Sequence, residues 1–306
     1  MLGRFASPLI ALCLLLTTII GWNGPAGAQT DPVIGAAGDI ACDPGNSYFN
    51  GRVGTLCQMK ATSDLLLGLN AAAVLPLGDL QYEDGALSKF RRSYDRTWGR
   101  LKAITRPAPG NHEYGTRGAQ GYFDYFGEIA GDPGQGYYSY DIGAWHLIAL
   151  NSNCGPVGGC GSGSPQERWL RADLAAHPAR CTLASWHHPR FSSGFHGSDR
   201  RYDAFWRALY DAGADVVLTG HDHHYERFAK QDPNGRPDPG RGIREFVVGT
   251  GGRSLYGLKE GEDNSDVFNA ETFGVLALTL HPTSYEWRFV RGPGKDFADS
   301  GRAACH

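Results

Sequence analysis

Five short segments, each near the end of a predicted strand, carry side chains able to hold metal ions. They are Gly38-Asp39, Gly78-Asp79-Leu80-Gln81-Tyr82, Gly110-Asn111-His112-Glu113, Trp186-His187-His188-Pro189 and Gly220-His221-Asp222-His223. In open α/β sheets the ligand crevice lies outside the carboxyl ends of the strands, so residues far apart in the chain are expected to converge on one site. Carboxylates and an amide oxygen suit harder cations, and neutral imidazoles suit iron, zinc and related metals; the set predicts a mixed N/O site for transition metals. His221 and His223, two apart in a loop, project differently and can serve two ions, and a carboxylate such as Asp79 could bridge them. Two cations about 3.5 to 4 Å apart orient a phosphate ester, lower the pKa of a bound water and stabilise the attacking and leaving oxygens of an in-line displacement. Phosphoester hydrolysis is the chemistry that follows.

The elements that must position these residues alternate between β-rich apolar runs and amphipathic stretches, an α/β pattern. Strands are predicted at Val33 to Ala37, Ala72 to Leu77, Trp145 to Leu150, Thr182 to Trp186 and Ala214 to Leu218. Helices are predicted at Leu56 to Leu69, Leu87 to Trp98, Pro165 to Ala176 and Tyr202 to Ala212. After residue 242 the pattern becomes strands alone, at Arg244 to Val248, Val275 to Leu280 and Glu286 to Val290, the last two joined by a His-Pro-Thr-Ser turn. Gln231 to Arg241, rich in Pro, Gly and Asp, reads as an exposed loop. The 43 glycines exceed the ordinary share, and many fall just after strands, as in loops that approach a ligand closely.

Arg4, the apolar run Leu9 to Ile20 and Ala26-Gly27-Ala28 have the order of a secretory signal peptide, with the mature chain expected to begin at Gln29. Cys13 lies within the apolar run, but Leu12 before it is not the small residue a lipoprotein signal wants. A soluble exported domain over residues 29–306 is expected, with no membrane span after cleavage. Six cysteines remain in it, and disulfides are the default in an oxidising compartment. Cys42 and Cys57, like Cys154 and Cys160, bracket short loops; those pairings leave Cys181 with Cys305, although other connectivities stay open. A net charge of −3 and a pI near 6.4 supply no basic field for nucleic acid, so a small phosphate-ester substrate is the simpler expectation.

GDLQY, GNHE, the His-x-Pro of WHHPR and GHDHHYER occur in the order found in purple acid phosphatases, a branch of the calcineurin-like metallophosphoesterases, and together with Gly38-Asp39 they span about residues 33 to 227. The resemblance implies a four-layer α/β/β/α sandwich. It implies that Asp39, Asp79, Tyr82 and His223 hold a first metal, and that Asp79 bridges to a second held also by Asn111, His187 and His221. The ions are expected to be Fe with Fe, Zn or Mn, and the nucleophile a metal-bound hydroxide. Tyr82 as a tyrosinate would favour ferric iron and colour the protein purple. His112 resembles the family histidine that contacts substrate, and His196, nine residues after His187, a catalytic histidine that protonates the leaving alkoxide in the small animal-type members. The first motif departs from the family, which has Gly two residues after the aspartate where this chain has Ala41. The amino-terminal β-domain of the large plant members has no counterpart here.

Other polar residues have plainer readings. His146, His177, His281 and His306 read as structural, and Trp169 and Trp186 as core. His188 and His224 adjoin proposed ligands and could orient them; Arg190 either binds phosphate or caps its loop; Glu226 and Arg227 read as a local ion pair. Hydrolysis of phosphomonoesters is the expected activity. Its rivals are a phosphodiesterase on the same metal core and a non-catalytic extracellular protein that keeps the metals. A secreted metalloprotease lacks support, since the chain has no His-Glu-x-x-His.

Overall fold

A computed structural model describes residues 1–3, 31–49 and 56–306. The chain divides into Met1–Thr30 and Asp31–His306, and the fold described below is that of the second unit. The leader features expected at Arg4, Leu9 to Ile20, Cys13, Ala26 to Ala28 and Gln29 lie outside the described residues.

In chain order the strands are β1 (Val33–Ala37), β2 (Ala73–Pro76), β3 (Tyr138–Ile142), β4 (Trp145–Ala149), β5 (Cys181–Ser185), β6 (Val216–Thr219), β7 (Tyr225–Phe228), β8 (Arg244–Val248), β9 (Ser265–Asn269), β10 (Thr272–His281), β11 (Ser284–Gly294) and β12 (Ser300–Ala304). The helices are α1 (Met59–Leu67), α2 (Leu87–Arg92), α3 (Gln120–Phe126), α4 (Pro165–Ala176) and α5 (Asp203–Asp211). One sheet has the order β12-β11-β10-β1-β2 and the other β3-β4-β5-β6-β8-β7-β9. The strands that carry site loops run parallel: β1 with β2 in the first sheet, and β4, β5, β6 and β8 in the second.

Period-two alternation explains the layering. On β4, β5 and β6, Leu147, Leu183, Val216 and Leu218 face the core shared with the first sheet, while Ile148, Ala184 and Val217 face a second core with Leu170 of α4 and Phe205 and Leu209 of α5. Strands buried on both faces read as continuous apolar runs, which is why these were legible as strands. On the far side α1 packs against β10 and β11, and its Leu66 lies against Gly35 of β1. The result is the expected α/β/β/α sandwich. Pro165–Ala176 forms as predicted because Ser164 caps it, accepting from Glu167 N at 3.3 Å, with Pro165 at the first turn.

Two predicted helices are shorter than their periodicity suggested. The stretch from Leu87 stops at Arg92 and continues as 3-10 turns at Tyr94–Arg96 and Trp98–Ile104. Tertiary hydrogen bonds win over helix propensity there: Ser93 Oγ donates to Cys42 O at 2.7 Å and Tyr94 N to Gln81 Oε1 at 3.2 Å. Likewise α1 begins at Met59, since the N–H groups of Cys57 and Gln58 donate to Arg253 and Gly252. All three expected disulfides are present: Cys42–Cys57, Cys154–Cys160 and Cys181–Cys305. Among the described residues no helix is long and apolar enough to cross a membrane.

Candidate metal centre

β1 and β2, side by side, end on Asp39 and Asp79; β5 and β6, adjacent in the other sheet, end on His187 and on His221 with His223. Residues 105–108 run beside β2 through the bridges Val74–Thr105 and Leu77–Ala108 and deliver Asn111 and His112 to the same edge. Gly38 N donates to Val248 O at 2.8 Å, drawing the two sheets together at this end.

The glycines before the ligand candidates let one loop lie against another. A Cβ on Gly78 would stand 2.4 Å from His187 Nδ1, and one on Gly110 would stand 2.2 Å from Asp79 Oδ1. Asp39, Asp79 and His221 have φ of 62°, 49° and 68°. A non-glycine residue held in this region costs of order 1–3 kcal/mol and persists only where its surroundings dictate it. Three such residues among the proposed ligands place the strain where the loops must converge. Ala41, the departure from the family pattern, is accommodated: it is buried and its N–H donates to Leu80 O at 3.0 Å.

The side chains form two groups that share one atom. In the first, Tyr82 Oη lies 3.1 Å from Asp39 Oδ1, 3.2 Å from Asp79 Oδ2 and 3.0 Å from His223 Nε2. In the second, His187 Nε2 lies 3.1 Å from Asn111 Oδ1, 3.2 Å from His221 Nδ1 and 3.3 Å from the same Asp79 Oδ2. Asp79 Oδ2 therefore stands where a bridging oxygen would. Hydrogen bonds orient the rings. His187 Nδ1 meets Leu77 O at 2.8 Å and His223 Nδ1 meets Ser254 Oγ at 2.9 Å, which turns each Nε2 inward.

The electrostatics of the protein alone fit a cation. Burial opposes charge on Asp79 and His187, yet their mutual attraction outweighs it, holding the carboxyl below its usual value and raising the imidazole to about 9. Burial, then Asp39 and Asp79, push Tyr82 well above the usual phenol range, and burial with neighbouring His187 and His188 holds His221 well below an ordinary imidazole. Two buried carboxylates, a phenol, an amide oxygen and three imidazoles offer many lone pairs and few protons, the donor set a metal pair satisfies.

Asp79, Tyr82, Asn111, His112, His196, His221 and His223 line a cavity of about 260 Å³, while Asp39 and His187 are fully buried beneath it. All nine residues singled out in the sequence thus meet at one place. His112 Nδ1 contacts Glu83 O at 2.5 Å, leaving Nε2 3.8 Å from Asp79 Oδ2. The His196 ring lies 4.2 Å from that of His221, and its backbone N–H donates to Asp222 Oδ1 at 2.9 Å. His188 Nδ1 bonds Ser152 Oγ at 2.8 Å and its ring lies 4.3 Å from His221; His224 instead faces Glu226 at 3.0 Å.

One plainer reading resolves differently from expectation, and one that was open is decided. Glu226 and Arg227 do not pair, because neighbours on a strand point to opposite faces: Glu226 meets His224, and Arg227 meets Asp299 at 2.9 Å and Asp266 at 2.7 Å. Arg190 is buried against Asp203 and is absent from the cavity lining, so it secures its loop.

Sequence reasoning missed three supports. Glu113 accepts from Leu80, Gln81 and Gly110 N–H groups at 2.9, 3.1 and 2.8 Å, tying two ligand loops together. Ser254 and Tyr256 follow β8; Tyr256 stacks on His223 with centroids 4.4 Å apart and donates to His221 O at 2.9 Å. The Gly249-Thr250-Gly251-Gly252 run directly after a predicted strand was the available signal for that loop.

The family model of the calcineurin-like phosphoesterases matches residues 34–225. Purple acid phosphatase 18 of Arabidopsis thaliana is 29% identical over 79% of this chain, and purple acid phosphatase 15 of the same plant 26% identical over 72%. The matched regions span 58% and 47% of those two relatives. The structure of purple acid phosphatase PPD1 from yellow lupin seeds superposes with a TM-score of 0.74 at 17% identity, covering 90% of this chain and 54% of that one, a likeness of fold. With the family model matched from β1 to the start of β7 and the ligand-bearing loops inside that span, this chain belongs to the calcineurin-like phosphoesterase family.

Proposed function

We propose that the protein is an exported, dinuclear-metal phosphoesterase acting on phosphomonoesters. The observation that carries this reading is the sharing of Asp79 Oδ2 between the Tyr82–Asp39–His223 group and the His187–Asn111–His221 group. Those seven residues would hold the two ions. Bound there, a metal pair supplies neutralising charge for phosphate oxygens and a water of lowered pKa. The purple acid phosphatase relatives and the position of the Tyr82 hydroxyl among Asp39, Asp79 and His223 support ferric iron as one of the ions, with Fe, Zn or Mn as the other.

The remaining chemistry belongs to side chains. His112 donates Nδ1–H to Glu83 O and presents Nε2 to the cavity, where, with the ring doubly protonated as an imidazolium, Nε2–H would be donated to a phosphate oxygen. His196, on the cavity wall and held by Asp222, would give a proton to the ester oxygen as the P–O bond breaks, so that an alcohol departs. Export is supported by the three disulfides, which persist in oxidising compartments.

The test is turnover of a chromogenic monoester and diester by the purified protein, with metal content measured on the same sample. Monoester turnover with two bound metals is the expected result, and a visible charge-transfer band should accompany iron on Tyr82. Preferential diester turnover would replace this reading with a phosphodiesterase, and two metals without turnover of either ester would make it a non-catalytic binding protein. Export is checked by the N-terminus of the secreted product, expected at Gln29; an intact Met1 there would contradict a cleaved leader.

A further inference from the structure

Among the described residues that line the cavity, Arg253 is the one Arg or Lys. It sits in the loop after β8, whose backbone is fastened to both ligand-bearing and disulfide-bearing segments. Gly251 and Arg253 N–H groups donate to Gly38 and Asp39 carbonyls at 2.9 Å each, and Cys57 and Gln58 N–H groups donate to Arg253 and Gly252 carbonyls at 3.3 and 2.7 Å. These bonds hold the backbone whatever the side chain.

The guanidinium carbon lies 5.2 Å from the centroid of the Tyr82 ring, and Nη2 donates to Glu83 Oε1 at 2.8 Å. Among the described residues Nη2 is the side-chain nitrogen with a hydrogen-bond partner; Nε is buried and has none. A guanidinium is always charged and presents its donors in a planar fork that matches phosphate. Arg253 thus brings a positioned and incompletely used fork to the wall of a cavity otherwise lined by neutral or anionic oxygens and imidazoles.

A phosphomonoester dianion has one more unesterified oxygen and one more negative charge than a diester. We infer that Arg253 recognises that additional oxygen and sets a preference for monoesters over diesters. This deepens the hydrolytic reading above and rests on it. The Tyr82 ring and Glu83 hold the fork in place for this contact.

The experiment compares metal-loaded wild type with Arg253→Ala, Arg253→Met, which keeps a stem over Tyr82, and Arg253→Lys. Binding of orthophosphate and of dimethyl phosphate is measured by calorimetry, and turnover of a monoester and a diester on the same samples. A charge-assisted contact of this kind predicts orthophosphate affinity and monoester kcat/KM falling roughly 10- to 100-fold in the Ala and Met variants, with dimethyl phosphate and diester values within about threefold. The Lys variant should recover part of the loss, since it restores charge without the fork. Equal losses for both ligands would assign Arg253 a merely structural role beside Tyr82, and no loss would remove it from recognition; either overturns the inference. If binding discriminates as predicted while neither ester is turned over, it is the hydrolytic reading that fails.

Discussion

Two clusters of histidine and aspartate lie in different parts of this sandwich. At the carboxyl ends of β1, β2, β5 and β6, Asp39, Asp79, His187, His221 and His223 meet with Tyr82 and Asn111. At β3, β4 and α4, His146 sits between Asp141 at 2.8 Å and Asp173 at 2.9 Å, and His177 lies 3.2 Å from Asp173. The residue types are nearly the same, but the proton balance is not. Each nitrogen of His146 faces a carboxylate, so an imidazolium satisfies the cluster from within; burial works against that charge, and the two carboxylates overcome it and raise the imidazole. In the first cluster Asp79 raises His187 in the same way, but Asn111 Oδ1, His221 Nδ1 and Asp79 Oδ2 all converge on the one nitrogen His187 Nε2, so a single internal proton cannot serve every lone pair there, whereas a metal pair would. Composition alone does not separate a ligand from a salt-bridge partner.

Substitutions can break this contrast, and the largest effect is expected at Asp79. Because its Oδ2 belongs to both groups, Asp79→Asn should lower monoester kcat by about 10³-fold or more, the size of a lost metal contribution of several kcal/mol. Next, His196→Ala should slow esters with poor leaving groups by about 10²-fold or more and activated aryl esters much less. Equal losses across leaving groups would show that His196 is no proton donor.

At the other cluster, Asp173→Asn should leave kcat unchanged and lower folding stability by about 1–2 kcal/mol. That is less than an isolated buried pair would lose although Asp173 and His146 are both buried, because Asp141 still faces the other nitrogen of His146 and an amide still offers an oxygen to His146. A change in kcat without a change in stability would give this cluster a role it is not assigned here.

Glu245 shows a third way to keep a buried carboxyl. Burial pushes it up to about 8, against donation from the N–H groups of Arg190 and Phe191 and from Thr219. Since its folded value is raised above the unfolded one, this contribution is complete at low pH and is lost as pH rises from about 4.5 to about 8. Glu245→Gln should flatten that decline, whose slope is at most about 1.4 kcal/mol per pH unit. Denaturant melts at several pH values check it, and an unchanged slope would contradict it.

The strands buried on both faces, β1, β4, β5, β6 and β8, could be read from apolar runs, and so could the ligand candidates at their ends. Strands β3, β9 and β12 could not, because they are part-exposed edge or near-edge strands without an apolar run. Helix α3 escaped notice as well, since Gly118 and Ala119 at positive φ precede an aromatic-rich Tyr-Phe-Asp-Tyr-Phe segment with no capping signal. Within the site, the residues proposed to hold metal carry their chemistry in their type. Glu113, Ser254 and Tyr256 do not; their importance comes from which loop each one ties down, and that of Arg253 from the cavity its guanidinium lines, and both are settled only when the two sheets stack.

The central claim is that one cluster is a metal centre and the other an internal salt bridge. Metal content of wild type, Asp79→Asn and Asp173→Asn, measured after identical loading and desalting, tests it most directly. The expected result is two ions per chain in wild type and in Asp173→Asn, and loss of at least one in Asp79→Asn. Metal retained without Asp79, or lost with Asp173, would contradict it.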